Sequence, residues 1–412
     1  MKTVYSEVLQ SIETKRYSRR SVIAPNRLET RYRDFFVSIF QTRNPHALTK
    51  LRDELRDFTG RQHIFFAPSC RAAIAQVLSV LPHSEVVLPA YTCPVVKTAI
   101  QVAGKRIIYV DIAKAGLNAT SAEFAEQAKP GRVLIPTHVF GFPTDIEAIC
   151  SLAKTQDCVT IEDAAAAFGA RRNGRLLGTF GDIGVFSFER SKRIPAFRGA
   201  VIIINNEEIL DPSKLVSSRL VETKRVMPIK DLAFAMFYNA ATVPWFYGRF
   251  TLPQILRKYR IPDTCPVLED LESEKKSPFY VRELQAYQAS LILHMLKRFD
   301  EIRLRIGELV SAYRYTLERT SIITYKPPKC DDEGLLRFPV AFPGRDRSEI
   351  LRIALNHGLF LETNYEQPLP EEHEISRFPN SVWAARNLVL LPLYTRLSYK
   401  DAEWIAQKII KM

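Results

Sequence analysis

A strand-like run, Val159-Thr-Ile161, leads into Glu162-Asp-Ala-Ala-Ala-Ala-Phe-Gly169, which places Asp163 where a buried strand gives way to a turn. Ligands of open α/β sheets bind at that edge. A carboxylate there can hold a protonated pyridine nitrogen, and the small side chains of Ala164 to Ala167 leave room for a flat ring; Asp163 equally fits the cap of a following helix. Further on, Val185-Phe-Ser-Phe-Glu-Arg-Ser-Lys192 sets a lysine just past another apolar run. A desolvated lysine is a nucleophile toward an aldehyde. Most lysines are solvated surface charges, so Lys192 draws its interest from being paired with Asp163. A third segment, Pro68-Ser-Cys-Arg-Ala-Ala-Ile74, makes Ser69 a suitable N-cap and turns the amides of Cys70 and Arg71 toward any phosphate at the positive end of the helix dipole. An ordinary capped helix would read the same way. Ser187 can add a hydroxyl to the same anion, or serve only its strand.

The elements that must position these residues follow from hydrophobic patterning. From Ser84 onward, Val86–Leu88, Ile107–Val110, Val133–Ile135, Val159–Ile161, Val185–Phe188 and Val201–Ile204 are short apolar runs separated by helix-sized connections. Such runs predict a mainly parallel sheet covered on both faces. From Arg282 to Arg319, apolar residues at helical spacing (Leu284, Tyr287, Leu291, Met295, Phe299, Ile302, Ile306, Val310) predict one long connecting helix. Beyond it, Leu335–Ala341 reads as a strand. Asp346 with Glu349 reads as a capping box, Gly358 as a helix stop, and Ser398 with Asp401 as a second box. The expected organisation is an N-terminal arm (1–45), a large α/β domain (46–205), a helical, aromatic-rich insertion (206–276), and the connecting helix with a smaller C-terminal α+β domain (277–412).

With 412 residues, 46% of them hydrophobic, the chain can bury a large core. Its polar, basic start does not resemble a secretory signal, which makes the cytoplasm the expected compartment. Cys70, Cys93, Cys150, Cys158, Cys265 and Cys330 form no C-x-x-C pair and have no histidine at metal-ligand spacing, so they read as reduced thiols and no metal is expected. A formal charge of +13 points to an anionic partner: a nucleotide-linked substrate, an acidic lipid surface or nucleic acid. No nucleic-acid-binding motif accompanies the charge.

Several segments in order resemble the DegT/DnrJ/StrS family of sugar aminotransferases. They are Leu88-Pro-Ala-Tyr-Thr92, Tyr109-Val-Asp-Ile112 followed by Leu117-Asn118, Ile135-Pro-Thr-His-Val-Phe-Gly-Phe-Pro143 with Asp145, Ile161-Glu-Asp-Ala-Ala165, Gly181-Asp-Ile-Gly-Val-Phe-Ser-Phe188, Asn364-Tyr-Glu-Gln-Pro-Leu369 and Leu391-Pro-Leu-Tyr394. The resemblance implies the aspartate-aminotransferase fold (fold type I) and pyridoxal 5′-phosphate as cofactor. It implies that Lys192 carries the cofactor as a Schiff base and then serves as general base, that Asp163 faces the pyridine nitrogen, and that Ser69, Cys70, Arg71 and Ser187 hold the phosphate. It further implies a glutamate-like donor, a nucleotide-linked keto-sugar acceptor in amino-sugar or surface-polysaccharide biosynthesis, and a homodimer.

The chain departs from the family pattern at five places. Ala166 replaces a cofactor-contacting glutamine, Phe168 a frequent histidine, and Cys93 an aromatic that stacks on the ring. The glycine-rich segment after the lysine is shortened to Arg193–Arg198, and Ser277-Pro-Phe-Tyr280 stands where the partner subunit's asparagine motif is found. Three other readings therefore stand beside the main one: a cofactor-binding regulatory protein without turnover, an aminotransferase acting on a non-sugar ketone, and a membrane-surface or scaffold role for the basic, aromatic stretch around Phe234 to Arg260.

Overall fold

A computed structural model describes residues 21–41, 44, 46–217, 228–259, 284–326 and 334–412. The start of the N-terminal arm, Ser277–Tyr280, Cys265, Cys330 and the expected helix start at Arg282 lie outside the described residues. Every apolar run named above forms a strand. The chain builds β1 (His63–Ala67), β2 (Glu85–Pro89), β3 (Arg106–Val110), β4 (Arg132–Leu134), β5 (Val159–Asp163), the hairpin β6 (Arg171–Arg172) and β7 (Arg175–Leu176), then β8 (Ile183–Ser187) and β9 (Ala200–Ile204). Seven of these form one sheet in the order β1-β9-β8-β5-β4-β2-β3. Every residue of β5, β8 and β9 is buried, as a sheet covered on both faces requires.

Neighbouring pairs among β3, β2, β4, β5 and β8 are parallel, and β9 is antiparallel to both β8 and β1. The sheet is therefore mainly parallel, as the apolar runs predict, with β9 its antiparallel member. The connection Phe188–Gly199 holds no helix, so it cannot make a parallel crossover and the chain returns beside β8. The strand β1 is an addition to the expected set. Because β1 and β8 both oppose β9, they share a direction, and the carboxyl ends of β1, β2, β4, β5 and β8 open on one edge. Register tightens the grouping: Ala67 and Ser187 both pair with Ala200, and Asp163 pairs with Val185.

The expected long helix is broken into Ala286–Leu296 and Phe299–Leu317. At the break, Arg298 leaves helical geometry and its guanidinium reaches the Glu29 carbonyl (2.6 Å) and the Asp34 carboxylate (2.8 Å). Tertiary hydrogen bonds to a charged group outweigh the continuous helical periodicity here. Beyond it, β10 (Ile323–Thr324), β11 (Phe338–Ala341) and β12 (Val389–Leu391) form a three-stranded antiparallel sheet.

Helix Arg347–Asn356 starts with the Asp346 carboxylate accepting the Glu349 amide. It ends in a Schellman turn, with Leu359 N–H on Ala354 O, Gly358 N–H on Leu355 O and Gly358 at φ +80°. The Ser398–Asp401 box is complete, with both reciprocal bonds present, and opens helix Tyr399–Ile410.

Candidate active site

The helix Cys70–Val80 follows β1 directly. Ser69 is its N-cap, with its hydroxyl accepting the Ala72 amide at 3.2 Å. Cys70 and Arg71 open this helix, and the first turn of a helix is the end that favours an anion. Register sets it across Ala200 from Ser187, whose hydroxyl accepts the Glu189 amide at 3.3 Å.

Asp163 ends β5 and is 3% exposed. Its Oδ1 accepts the Ala165 amide at 3.0 Å, and among the described residues Oδ2 has no hydrogen-bond donor. Burial pushes the carboxyl's pKa up, while the Ala165 amide and the nearby Lys192 ammonium pull it back. Lys192 itself is half-buried on the turn after β8, its amide bonded to Glu189 O at 2.9 Å. The Cys70 thiol lies within electrostatic reach of Asp163, Lys192, Cys93 and Arg71, and burial first, then Asp163, drives its pKa well up. All six residues singled out in the sequence thus gather at one edge of the sheet.

Sequence reasoning missed what braces and roofs this edge. Behind Asp163, the fully buried Glu162 carboxylate accepts the amides of Gly178 (2.6 Å), Phe180 (2.8 Å) and Gly181 (3.0 Å) and meets His138 Nε2 at 2.9 Å. The Thr144 amide donates to His138 Nδ1 at 3.2 Å, so the ring proton is on Nε2 and points at Glu162. Burial raises the Glu162 pKa, but His138 and the amides outweigh it and leave the group below the ordinary carboxylate range.

A folded-state pKa below the unfolded one contributes stability above the unfolded value and loses it as pH falls through the folded value. The wild-type protein should therefore lose unfolding free energy steeply below about pH 4. Glu162→Gln, which turns an amide NH₂ toward amide donors, should cost about 3 kcal/mol at neutral pH and flatten that acid limb. Urea unfolding across the pH range checks both; an unchanged limb would refute the assignment.

Tyr365 was not assigned a role in advance. The structure buries it at this edge, with its hydroxyl hydrogen-bonded to Cys93 and its ring 5.6 Å from Tyr91 and 5.9 Å from Phe140. Tyr91 fastens the segment by donating to Asn364 O (2.6 Å) and accepting the Tyr365 amide (3.1 Å). The only advance signal was the Asn364–Leu369 run. Phe168, in place of a histidine, turns into the core against Phe58, Phe186 and Phe299. The shortened Arg193–Arg198 segment is also packed: Arg193 pairs with Glu29 at 3.0 Å and donates to Leu335 O, and Phe197 meets Phe35 at a tilt and Phe234 edge-on.

These residues fit pyridoxal 5′-phosphate. There is a helix N-terminus for the phosphate, an oxygen without a donor among the described residues on a buried carboxylate for the ring nitrogen, and an amine within electrostatic reach of it. Two buried hydroxyls on adjoining loops, Thr92 and Thr137, have no hydrogen-bond partner among the described residues, and Thr137 forms a bridge with Asp163. A buried polar atom without a partner is costly unless a ligand or water satisfies it.

The sequence matches the DegT/DnrJ/EryC1/StrS aminotransferase family over residues 39–235 and 272–410. It is 23% identical over 377 residues to the spore coat polysaccharide biosynthesis protein SpsC of Bacillus subtilis, spanning 86% of this chain and 87% of that one. Over 135 residues it is 31% identical to GDP-perosamine synthase of Escherichia coli O157:H7, which is 32% of this chain and 37% of that one. The fold is shared with Spr1654 of Streptococcus pneumoniae in its PLP-form, with a TM-score of 0.72, 17% identity, and coverage of 94% of this chain and 98% of that one.

Proposed function

The chain belongs to the DegT/DnrJ/EryC1/StrS aminotransferase family, whose members depend on pyridoxal 5′-phosphate, and from that premise we propose that it moves an amino group from a glutamate-like donor to a nucleotide-linked keto sugar. The setting is amino-sugar or surface-polysaccharide biosynthesis, as the names of SpsC and GDP-perosamine synthase suggest. The convergence of Asp163, Lys192 and the Ser69 helix start on one edge of the sheet is the observation that carries this reading.

In the proposed mechanism the bound cofactor supplies an electron sink conjugated to the amino group in transit. The Asp163 carboxylate keeps a proton on the ring nitrogen. Lys192 Nζ would hold the cofactor's aldehyde carbon and, as a free amine, would move a proton at the substrate carbon that carries nitrogen. The amides of Cys70 and Arg71, with the Ser187 hydroxyl, hold the phosphate and fix the ring's position. Tyr365 and Tyr91 roof the site and exclude water, which strengthens each of these electrostatic contacts.

Family membership supports a homodimer, and among the described residues no helix is long and apolar enough to cross a membrane. We place the reaction in the cytoplasm. Incubating the protein with pyridoxal 5′-phosphate, glutamate and a panel of nucleotide-linked keto sugars should release 2-oxoglutarate and one amino sugar, both detectable by mass spectrometry. Absence of 2-oxoglutarate with every acceptor would refute transamination. Its appearance only with non-sugar ketones would refute the sugar.

A further inference from the structure

The family match skips residues 236–271, and the described part of that stretch carries an exposed apolar face. Helix Pro228–Ala241 is apolar on two sides. Its inner side buries Ala235 and Asn239 and sets Phe234 against Phe197 (6.1 Å), on the segment that follows Lys192, with the Arg190 guanidinium 5.5 Å above the Phe234 ring. Its outer side repeats at helical spacing: Ile229, Ala233, Met236, Phe237 and Ala240 are all exposed, Phe237 at 67% and Ile229 at 65%.

The turn that follows is anchored from beneath. Tyr247 and Leu252 are buried, Tyr247 packs on Phe360, Pro244 O accepts the Val22 amide at 2.9 Å, and the Thr251 hydroxyl donates to Ala241 O at 2.8 Å. With those anchors the turn holds Trp245 (58% exposed) and Phe250 (42%) outward, their rings 5.8 Å apart, and Arg249 stands 5.7 Å from the Phe250 ring.

We propose that this face docks on a lipid bilayer containing anionic headgroups. Charge selects the occupant. On the described part of this face the basic residues are Lys230 and Arg249, both exposed, and the one acid, Asp231, is engaged by the Tyr287 hydroxyl. A second copy of the chain would oppose these cations to themselves, whereas an anionic surface attracts each cation brought near it. Tryptophan and phenylalanine beside basic side chains suit the headgroup boundary, where apolar rings insert and charges stay wet. Met236, Phe237, Trp245 and Phe250 all lie in the stretch that the family match skips. Docking would hold the Lys192 turn close to the membrane, since the inner side of the same helix packs on Phe197.

The test uses full-length protein loaded with cofactor, sedimented with vesicles of phosphatidylcholine alone or with phosphatidylglycerol added. Binding is expected to the mixed vesicles at low salt and to weaken as salt rises. Phe237→Ser with Trp245→Ser should weaken it at least tenfold while leaving the sedimentation coefficient in solution unchanged. In protein carrying Trp383→Phe and Trp404→Phe, the emission of Trp245 should shift to the blue on the mixed vesicles. Failure of the wild-type protein to bind, unchanged binding by the double variant, no emission shift, or a changed sedimentation coefficient in the double variant would each overturn the proposal, the last by making the face a subunit contact.

Discussion

Lys192→Ala is expected to lower amino transfer by about 1,000-fold or more and to abolish covalent attachment of the cofactor, with little change in folding. The turn carrying Lys192 is held without its side chain. Glu189 O accepts the Lys192 amide, and the Glu189 carboxylate accepts the Ser191 amide (2.8 Å) and hydroxyl (2.6 Å). The next residue, Arg193, is locked to Glu29 and Leu335 O. Burial lowers the pKa of that guanidinium to about 10 against the pull of Glu29, yet it stays charged at neutral pH, so the clamp survives the alanine change. Borohydride reduction in the presence of pyridoxal 5′-phosphate, followed by peptide mass spectrometry, should label the Lys192 peptide of the wild-type protein and not that of the variant. Lys192→Arg separates charge from chemistry: a guanidinium keeps the cation but does not give up its proton, and it should be as inactive as alanine. Turnover by either variant, or labelling at another lysine, would refute the role.

Strand ends were legible because the continuous apolar runs of β5 and β8 have an obvious last residue, and Asp163 and Lys192 lie at or just past it. The Ser69 cap was legible for the same local reason: a hydroxyl residue ahead of a run of good helix formers. What the sequence concealed depends on closure between distant parts of the chain. Tyr91 meets Asn364 across 273 positions and Arg193 meets Glu29 across 164, and no local spacing encodes either contact. The break at Arg298 is hidden for a related reason, since the helical periodicity runs through it and the competing partners, Glu29 and Asp34, come from the other end of the chain. The brace on Glu162 is intermediate. Its glycine-rich donors, Gly178 to Gly181, are nearby in sequence, but their amides point at a carboxylate only after the turn before β8 has folded under β5.

Asp163→Asn is expected to act on activity and on stability in opposite directions. The Asp163 carboxyl is buried and its pKa is raised, so without cofactor it is costly to ionise. A carboxyl whose folded-state pKa exceeds its unfolded value contributes stability at low pH and loses it as pH rises through the folded value. Cofactor-free wild-type protein therefore carries a cost at neutral pH that the neutral, similarly shaped asparagine lacks, and the variant should unfold at higher urea concentration there, with the gap closing as pH falls.

With cofactor bound the balance reverses. A protonated ring nitrogen held at Asp163, as proposed, would offset the cost of ionisation, whereas asparagine offers no charge to hold that proton. Leaving a buried cation unpaired costs about 3 kcal/mol, which corresponds to about a 100-fold fall in kcat. If Ser69, Cys70, Arg71 and Ser187 hold the phosphate as proposed, the KM for the donor should change far less than kcat. Asp163→Glu, which restores the charge at a displaced position, should recover part of the loss. If Asp163→Asn lost activity without gaining cofactor-free stability, the residue would be a structural cap for the turn after β5. If it kept full activity, the ring nitrogen would not be its partner.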